Sequence, residues 1–220
     1  MVSVVSSQMI FELGELPKGA TLRFVTARPS EAVGRRALRV ELTDEVTFSG
    51  SPGVDYVDQP TFVVLPVQFT SGTIEVDVLS RLNGKGPEDA RAFAGLAYRI
   101  TDKADHFESV YLRPLNGLKT SPPSPRDQRA IQYFAYPDWP FDRLRSEYSD
   151  GRYEAPAEIG PDEWINLRIK FGDDSVTAIV NGFEALRILE PKVPAQSGAV
   201  GLFVDIGTEA YFSNLTITPS

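Results

Sequence analysis

The stretch SVTAIVNGFEALRI (residues 175–188) consists of two short apolar segments joined by the dipeptide Asn181-Gly182. An Asn-Gly pair between β-prone segments favours a two-residue hairpin, because both residues tolerate the positive φ angles of a type I′ turn. Just before it, FGDDS (residues 171–175) marks another tight turn after the apolar segment 163–171. The three segments therefore predict an antiparallel meander.

Short apolar or alternating segments of the same kind continue along the chain. Predicted strands cover residues 8–13, 21–27, 37–42, 62–66, 73–81, 92–101, 106–113, 129–136, 163–171, 175–180, 183–188, 198–204 and 209–218. Helical periodicity is nearly absent, and most of the 17 prolines and 17 glycines fall between strands. So many strands in 220 residues must form two packed sheets or a closed barrel. The fold class is all-β, and one domain over residues 1–220 is the simplest organisation.

Two connections are too long for simple hairpins. Residues 114–128 and 137–162 carry Pro, Gly, aromatic and charged residues without regular periodicity. Loops of this length in compact domains usually have a function or are disordered. The second is too aromatic for disorder, so we expect it to pack on a sheet, with one helical turn in DWPFDRLRSEY (residues 138–148).

Composition excludes several classes of function. The net charge of -8 disfavours nucleic acids and anionic membranes as partners. The chain has no cysteine and one histidine, His106, which removes disulfides, thiolate chemistry and most Ser-His or His-rich metal sites. The start MVSVVSSQMIFELGELP (residues 1–17) lacks a signal-peptide pattern, and no membrane-length apolar run occurs. A cytoplasmic protein is expected, although a secreted protein whose export signal had been removed would have the same sequence.

Alternation identifies strand faces that reach solvent or a ligand. In TIEVDVLSR (residues 73–81), Glu75 and Asp77 share one face, while the apolar residues share the other. In AGLAYRI (residues 94–100), Gly95, Ala97 and Arg99 share a face. The short side chains on that face predict an open floor.

Four segments resemble a known superfamily. They are HFESVYLRPLNG (106–117), IQYFAYPDWPFDRLRSEY (131–148) with GRYEAP (151–156), EWINLRIKFGDDSVTAIVNG (163–182) and SGAVGLFVDIGTEAYFSNLTI (197–217). In their order and patterning they resemble the concanavalin A-like lectin/glucanase superfamily, in particular its laminin-G-like and 3-keto-disaccharide-hydrolase-like branches. The likeness covers roughly residues 60–220.

The resemblance implies a jelly roll of two antiparallel sheets, one of which is curved and holds a sugar chain on its concave face. It implies a carbohydrate-binding or carbohydrate-handling protein whose partner is an oligosaccharide or a sugar-derived small molecule. A glycoside hydrolase or polysaccharide lyase acting in the same groove is the alternative, so whether the protein is an enzyme stays open. A non-catalytic protein-interaction domain is a further alternative, and the sequence indicates no oligomeric state.

Glu75 and Asp77 are the candidate catalytic pair if the protein is an enzyme, since they lie about 7 Å apart on one strand face. The pair resembles that of laminarinase-type hydrolases, which carry a second Glu shortly after the Asp. Here Val78 to Arg81 follow, so that second carboxylate is missing. The alternative is a solvated strand face whose carboxylates pair with arginine.

Nine residues are candidate ligand contacts. Tyr111, Arg113 and Asn116 would offer a stacking ring, a planar hydrogen-bonding fork and an amide at the start of a long loop. Instead of this or together with it, Arg113 could pair with Glu75 or Asp77 across neighbouring strands. Trp139 could stack on a ligand, or could pack under its own loop while the nearby arginines pair with acidic residues. The remaining candidates are Arg99, Gln132, Tyr136, Arg143 and Arg145.

No metal site or cofactor is predicted. His106 reads as a surface residue at a strand end, because no nucleophile motif accompanies it. Asp173, Asp174 and Asp205 could help to hold a structural calcium ion, as some members of the superfamily do, but no motif with calcium-binding spacing is present.

Overall fold

The computed structural model describes residues 8–220. Residues 1–7, on which the expectation of a missing signal peptide partly rests, lie outside the described part. No helix within residues 8–220 has the length and apolar character needed to cross a membrane.

The described chain forms fifteen strands and two short α-helices. The strands are β1 (Met9–Phe11), β2 (Thr21–Arg23), β3 (Val25–Ala32), β4 (Arg35–Leu42), β5 (Phe62–Phe69), β6 (Gly72–Leu82), β7 (Ala94–Ile100), β8 (Phe107–Leu112), β9 (Ile131–Tyr136), β10 (Glu154–Ala155), β11 (Ile165–Phe171), β12 (Val176–Val180), β13 (Phe183–Ile188), β14 (Gly198–Val204) and β15 (Thr208–Pro219). The helices are α1 (Asp44–Ser49) and α2 (Phe141–Glu147), and the expected helical turn after Trp139 is α2.

The strands form two antiparallel sheets, which we call sheet I and sheet II. Sheet I has the order β13-β12-β11-β6-β15-β4-β3, with β1 also paired to β15. Sheet II has the order β10-β9-β8-β7-β14-β5-β2. The prediction of an all-β sandwich is confirmed.

The hairpin at Asn181-Gly182 forms as the sequence indicates. Asn181 has a φ of 49° and Gly182 a φ of 86°, the signs that a type I′ turn requires. Strands β12 and β13 pair on either side of it, and β11 pairs with β12. The meander at one edge of sheet I is therefore encoded by two local turns.

The core lies between the two sheets. On β6, Ile74, Val76 and Val78 are at most 1% exposed, while Glu75 and Asp77 alternate with them on the outer face. On β7, the ring of Tyr98 lies 4.5 Å from that of Phe171 in sheet I, so Tyr98 faces the core. Burying each large apolar side chain of this core stabilises the fold by about 1.5–3 kcal/mol.

One predicted strand divides between the sheets. Residues 21–27 were expected to be continuous, but the chain turns at Phe24, whose φ is 55°. β2 then pairs with β5 in sheet II, and β3 pairs with β4 in sheet I. β3 continues to Ala32 beyond its predicted end and accommodates Pro29 because it is an edge strand.

Candidate functional site

The carboxylates on β6 are already occupied by neighbouring side chains. Asp77 accepts hydrogen bonds from Arg35 (2.9 Å), Asn166 (3.0 Å) and Asn214 (3.0 Å). Glu75 accepts one from Arg168 at 2.8 Å, and this bond is the main reason why the pKa of Glu75 is lowered. These contacts match the alternative of a solvated, arginine-paired strand face.

The expectation that Arg113 lies close enough to pair with Glu75 or Asp77 is wrong. Glu75 and Asp77 lie on β6 in sheet I, whereas Arg113 follows β8 in sheet II. The sequence showed which strand faces are polar, but it did not show which strands share a sheet. The two carboxylates therefore do not share a groove with Tyr111 and Arg113.

Arg99 does not lie on the face of Gly95 and Ala97. It has a φ of 54°, and the register between β7 and β14 shifts at this point. The bulge turns the side chain to the core, where it pairs with Glu108 at 2.8 Å and donates to the carbonyl oxygen of Gly172 at 2.7 Å. Its side chain is 0% exposed, so Arg99 joins the two sheets.

The outer face of sheet II is not an open floor. Because Tyr98 faces the core and pairs with Glu108, alternation places Phe107 and Tyr111 on the outer face. Aromatic rings cover this face, with centroid distances of 5.0 Å for Phe62–Phe107, 5.6 Å for Phe107–Phe134 and 5.4 Å for Tyr111–Phe203. These rings are at most 2% exposed. Gly95 is present because a Cβ there would lie 2.5 Å from the Cα atom of Tyr111.

A cavity of about 410 Å³ lies at the end of this face, and we call it the arginine pocket. Its volume lies within the range of about 300–1,000 Å³ that is typical of small-molecule sites. The pocket is bounded by the loop that precedes β5, the loop that precedes β7, the long connection after β8, and α2. Its polar lining is Asp58, Asp89, Arg91, Arg113, Asn116, Arg126, Arg129, Arg145 and Asp205, and its aromatic lining is Tyr56, Phe93, Tyr111 and Phe141.

Two buried carboxyl groups lie side by side in this lining. Asp205 accepts hydrogen bonds from the backbone N–H groups of Val57 (2.9 Å), Asp58 (3.0 Å) and Ile206 (2.7 Å). These bonds hold Val57 and Asp58 in the left-handed region, with φ values of 67° and 57°. The loop before β5 is thus fixed to the end of β14, with the Asp58 side chain in the pocket.

Burial raises the pKa of Asp58 to about 7, and the negative charge of Asp205 contributes in the same direction. The N–H of Phe141, which donates to Asp58 Oδ2 at 2.6 Å, acts in the opposite direction. The pKa of Asp205 is also raised by burial, while its three N–H donors oppose the shift. Asp58 is therefore a carboxyl group that still carries its proton in much of the population near neutral pH.

Three arginines of the pocket converge on one carboxylate, Glu154 of β10. Arg113 and Arg129 lie 3.2 Å from its oxygens, and Arg145 bonds to both of them. The Glu154 side chain is 8% exposed. Arg113 also donates to the hydroxyl oxygen of Tyr111 at 2.9 Å. Glu154 therefore fixes the positions of the guanidinium groups around the pocket.

Three buried polar atoms of the pocket have no hydrogen-bond partner within the protein. They are Asp58 Oδ1, Arg113 Nε and Asn116 Oδ1. Buried polar atoms are nearly always paired, and an unpaired one costs about 1–3 kcal/mol. These atoms have almost no accessible surface, so they lie in the packed wall of the pocket and do not face its open space.

The structure brings four of the nine candidate ligand residues into the pocket, namely Tyr111, Arg113, Asn116 and Arg145. Gln132 is buried and donates to backbone carbonyl oxygens at 2.6 Å and 3.3 Å. Arg99 lies in the core, as described above. These two residues have structural contacts.

The other three candidates lie outside the arginine pocket, near α2. Tyr136 stacks on Phe107 at 5.1 Å. Trp139 lies under Arg143, whose Cζ is 4.1 Å from the ring centroid, and Arg143 in turn pairs with Glu147 at 2.7 Å. The alternative of a small cluster packed under its own loop describes Trp139 and Arg143.

No family model matches the chain, and no curated protein matches it by sequence. Solved structures do match. Carbohydrate-binding module CBM66 from Bacillus subtilis aligns with a TM-score of 0.54 at 12% identity, covering 90% of this chain and 97% of that one. A protein of unknown function with a galectin-like fold, also from Bacillus subtilis, aligns with a TM-score of 0.54 at 10% identity, covering 96% and 94%. A native glycosidic hydrolase aligns with a TM-score of 0.51 at 11% identity, covering 100% and 99%.

The fold is a concanavalin A-like jelly roll. The resemblance that the four sequence segments indicated is therefore confirmed for the fold. At these identities the comparisons concern the path of the chain and not its ligand.

Within this concanavalin A-like fold, the candidates for metal binding are dispersed. No group of three or more His, Asp or Glu side chains suited to a metal lies within residues 8–220. Asp173 and Asp174 are exposed in the turn after β11, whereas Asp205 lies in the arginine pocket. His106 is exposed beside Asp105.

Sequence reasoning missed much of the pocket. Asp58, Arg91 and Arg126 lie in loops without strand periodicity, and Glu154 lies on a strand of two residues. Asp205 was considered only as a calcium ligand. The signal that was available was the proline-rich segment 114–128 between Arg113 and Arg129, which marked a loop of functional length.

Proposed function

We propose that the protein binds a saccharide in the arginine pocket. The observation that carries this proposal is a single cavity that is lined by arginines, carboxyl groups and an amide beside four aromatic rings. A protonated carboxyl donates and an amide oxygen accepts, so these groups match hydroxyls, which do both. The rings offer apolar surface to the C–H face of a sugar.

The rings of the pocket are held rigidly, which favours binding. Phe93 packs edge-on against Tyr111 at 6.0 Å, and the Arg113 guanidinium lies between Tyr111 and Phe141, at 5.2 Å from each ring. A preorganised lining loses little conformational entropy when a ligand binds. The neighbour named as a carbohydrate-binding module has the same fold, which supports this proposal without assigning a ligand.

Calorimetric titration with a panel of mono- and oligosaccharides tests the proposal. Asp89 is exposed at the pocket rim, so Asp89→Trp places a bulky ring at the entrance without disturbing the core. We expect it to weaken binding at least about 10-fold, which is about 1.4 kcal/mol. Asp173→Trp, at an exposed position in the turn after β11, is the matched control and should bind like the unaltered protein. Absence of binding at millimolar sugar, or equal binding by Asp89→Trp, would refute the proposal.

Glycoside hydrolysis is a second candidate function, favoured by the pKa of about 7 for Asp58 beside a more strongly hydrogen-bonded Asp205. Two carboxyl groups in different environments are the general arrangement for acid and base roles. Asp58 would give its proton to the glycosidic oxygen as the C–O bond breaks, and Asp205 would accept a proton from the water that supplies the new hydroxyl.

The hydrolysis candidate predicts that new reducing ends form from a bound oligosaccharide and that their rate of formation falls above a pH of about 7, as Asp58 loses its proton. Asp58→Asn should abolish cleavage at every pH. Glu75→Gln and Asp77→Asn, in the other sheet, should cleave normally. Equal turnover by Asp58→Asn would exclude the assigned role.

A further inference from the structure

The arginine pocket concentrates positive charge in an acidic protein. The chain has a net charge of -8, yet five arginines line this one cavity. The carboxyl groups of the lining are Asp58, Asp89 and Asp205, and Asp58 is partly protonated near neutral pH. The cavity therefore differs in charge from the surface around it.

Three of the five guanidinium groups form ion pairs with Glu154. It pairs with Arg113 and Arg129 at 3.2 Å and also with Arg145. One carboxylate cannot neutralise three cations, so this group of four residues keeps a formal charge of about +2 at neutral pH. Because the Glu154 side chain is 8% exposed, water screens this charge only weakly.

The other two guanidinium groups belong to Arg91 and Arg126. Arg91 donates to the backbone carbonyl oxygens of Glu88 (2.8 Å) and Ala90 (2.7 Å). Among the ion pairs of residues 8–220, none joins Arg91 or Arg126 to a carboxylate oxygen within 4.0 Å. Both side chains are half-buried in the pocket wall.

The two cations are close enough to repel each other. The pKa of Arg91 is lowered, first by burial and then by the positive charge of Arg126, and Arg113 contributes further, while Asp89 acts in the opposite direction. An anionic group between Arg91 and Arg126 would relieve that repulsion. Guanidinium groups bind carboxylate and sulfate oxygens through parallel N–H···O bonds, which are stronger than bonds to neutral hydroxyls.

We propose that the pocket is selective for an acidic saccharide, whose anionic group lies between Arg91 and Arg126. This inference rests on the proposed saccharide binding and specifies its ligand class. The anionic group is a carboxylate, as in a uronate, or a sulfate ester. The rest of the sugar lies against the aromatic rings of the same cavity, so the anion and the ring occupy different parts of it.

Matched sugar pairs test the inference by calorimetry. The panel contains glucose, galactose and mannose, the uronate of each, and the 6-sulfate of each, with inorganic sulfate as the free anion. We expect at least one acidic sugar to bind about 10-fold or more tightly than its neutral partner, since charge-assisted hydrogen bonds are the stronger class. The carboxylate and sulfate arms identify which anion is preferred.

Charge-removing variants test the location of the anion. In Arg91→Gln and Arg126→Gln, the ratio of acidic to neutral affinity should fall toward one. Arg187→Gln is the matched control, because Arg187 is exposed on β13 of sheet I and pairs with Glu184 at 2.6 Å. It should keep the selectivity of the unaltered protein.

The outcomes separate the two proposals. If neutral sugars bind as tightly as acidic ones, or if the arginine variants keep full selectivity, the acidic-saccharide inference is wrong while saccharide binding stands. If no sugar binds, with or without inorganic sulfate binding, both proposals are wrong. Selective binding that depends on Arg91 and Arg126 supports both.

Discussion

An acidic side chain on the outer face of sheet I and one in the loop before β5, at the end of sheet II, differ in what surrounds them. On sheet I, Glu75 has a 30% exposed side chain, and Arg168 lowers its pKa. At the end of sheet II, Asp58 is 1% exposed, and burial raises its pKa to about 7. The carboxyl group of Glu75 is thus an ion that is paired near the surface, whereas that of Asp58 is buried and keeps its proton to a higher pH. The number of nearby hydrogen-bond donors and the access of solvent, and not the residue type, decide whether a carboxyl group is available to bind a ligand.

The two regions also differ in how they affect stability. Asp77 meets three donors that satisfy it, whereas Asp58 keeps one oxygen unpaired and lies on backbone with positive φ. Strained backbone and unpaired buried groups persist where the surrounding structure holds them, and they concentrate at functional sites. This difference favours Asp58 over Asp77 as a carboxyl group for chemistry.

Asp58 should make the stability of the fold strongly dependent on pH. Its pKa is about 7 in the folded protein and 3.8 as a free side chain. The folded state therefore holds a proton that the unfolded state loses between these values. The contribution of Asp58 is greatest below pH 3.8 and declines as the pH rises to about 7, by about 4 kcal/mol in total.

Asp58→Asn removes this titration, so its difference from the unaltered protein isolates the contribution of Asp58. In urea unfolding at pH 4, 5.5 and 8, the free energy of unfolding of Asp58→Asn minus that of the unaltered protein should rise with pH. Glu75→Gln should give the opposite sign between pH 3 and pH 5, because a lowered pKa stabilises the fold above the unfolded value. A difference between Asp58→Asn and the unaltered protein that does not change with pH would show that Asp58 is ionised throughout.

Local signals were sufficient for most of the fold. The Asn181-Gly182 turn and the alternation on β6 depend on neighbours within a few residues, so the sequence reveals them directly. The assignment of strands to sheets depends on contacts between distant segments. For this reason the division at Phe24 and the separation of β6 from β8 did not follow from the pattern.

The site was less accessible to prediction because its residues come from separate loops. Tyr111, Arg113 and Asn116 follow one strand and were recognised together. Asp58 and Asp205 are 147 residues apart in the sequence, and they become neighbours only in the folded chain, where the N–H of Asp58 donates to Asp205. Arg99 shows the reverse error, since a bulge overrode the alternation that placed it on the ligand side.

Removal of a single carboxylate from each of the two regions should have a smaller effect on stability. Glu154→Gln leaves the guanidinium groups of Arg113, Arg129 and Arg145 without their shared counter-ion, in surroundings where water compensates only in part. Breaking a buried ion pair by removing one partner destabilises a protein strongly, and since Arg129 and Arg145 are about one-third exposed we expect a loss of about 2–3 kcal/mol.

Glu75→Gln is the matched control for Glu154→Gln, because it makes the same substitution at a carboxylate that pairs with one arginine near the surface. An exposed ion pair contributes about 0–1 kcal/mol, so Glu75→Gln should lower the free energy of unfolding by less than about 1 kcal/mol. Urea unfolding of both variants at pH 7 and two salt concentrations measures the difference, and salt should reduce the Glu75 effect more than the Glu154 effect. Equal losses would mean that solvent reaches the arginine pocket as freely as it reaches sheet I, and the pocket would then lack the weak screening on which its selectivity for an anion depends.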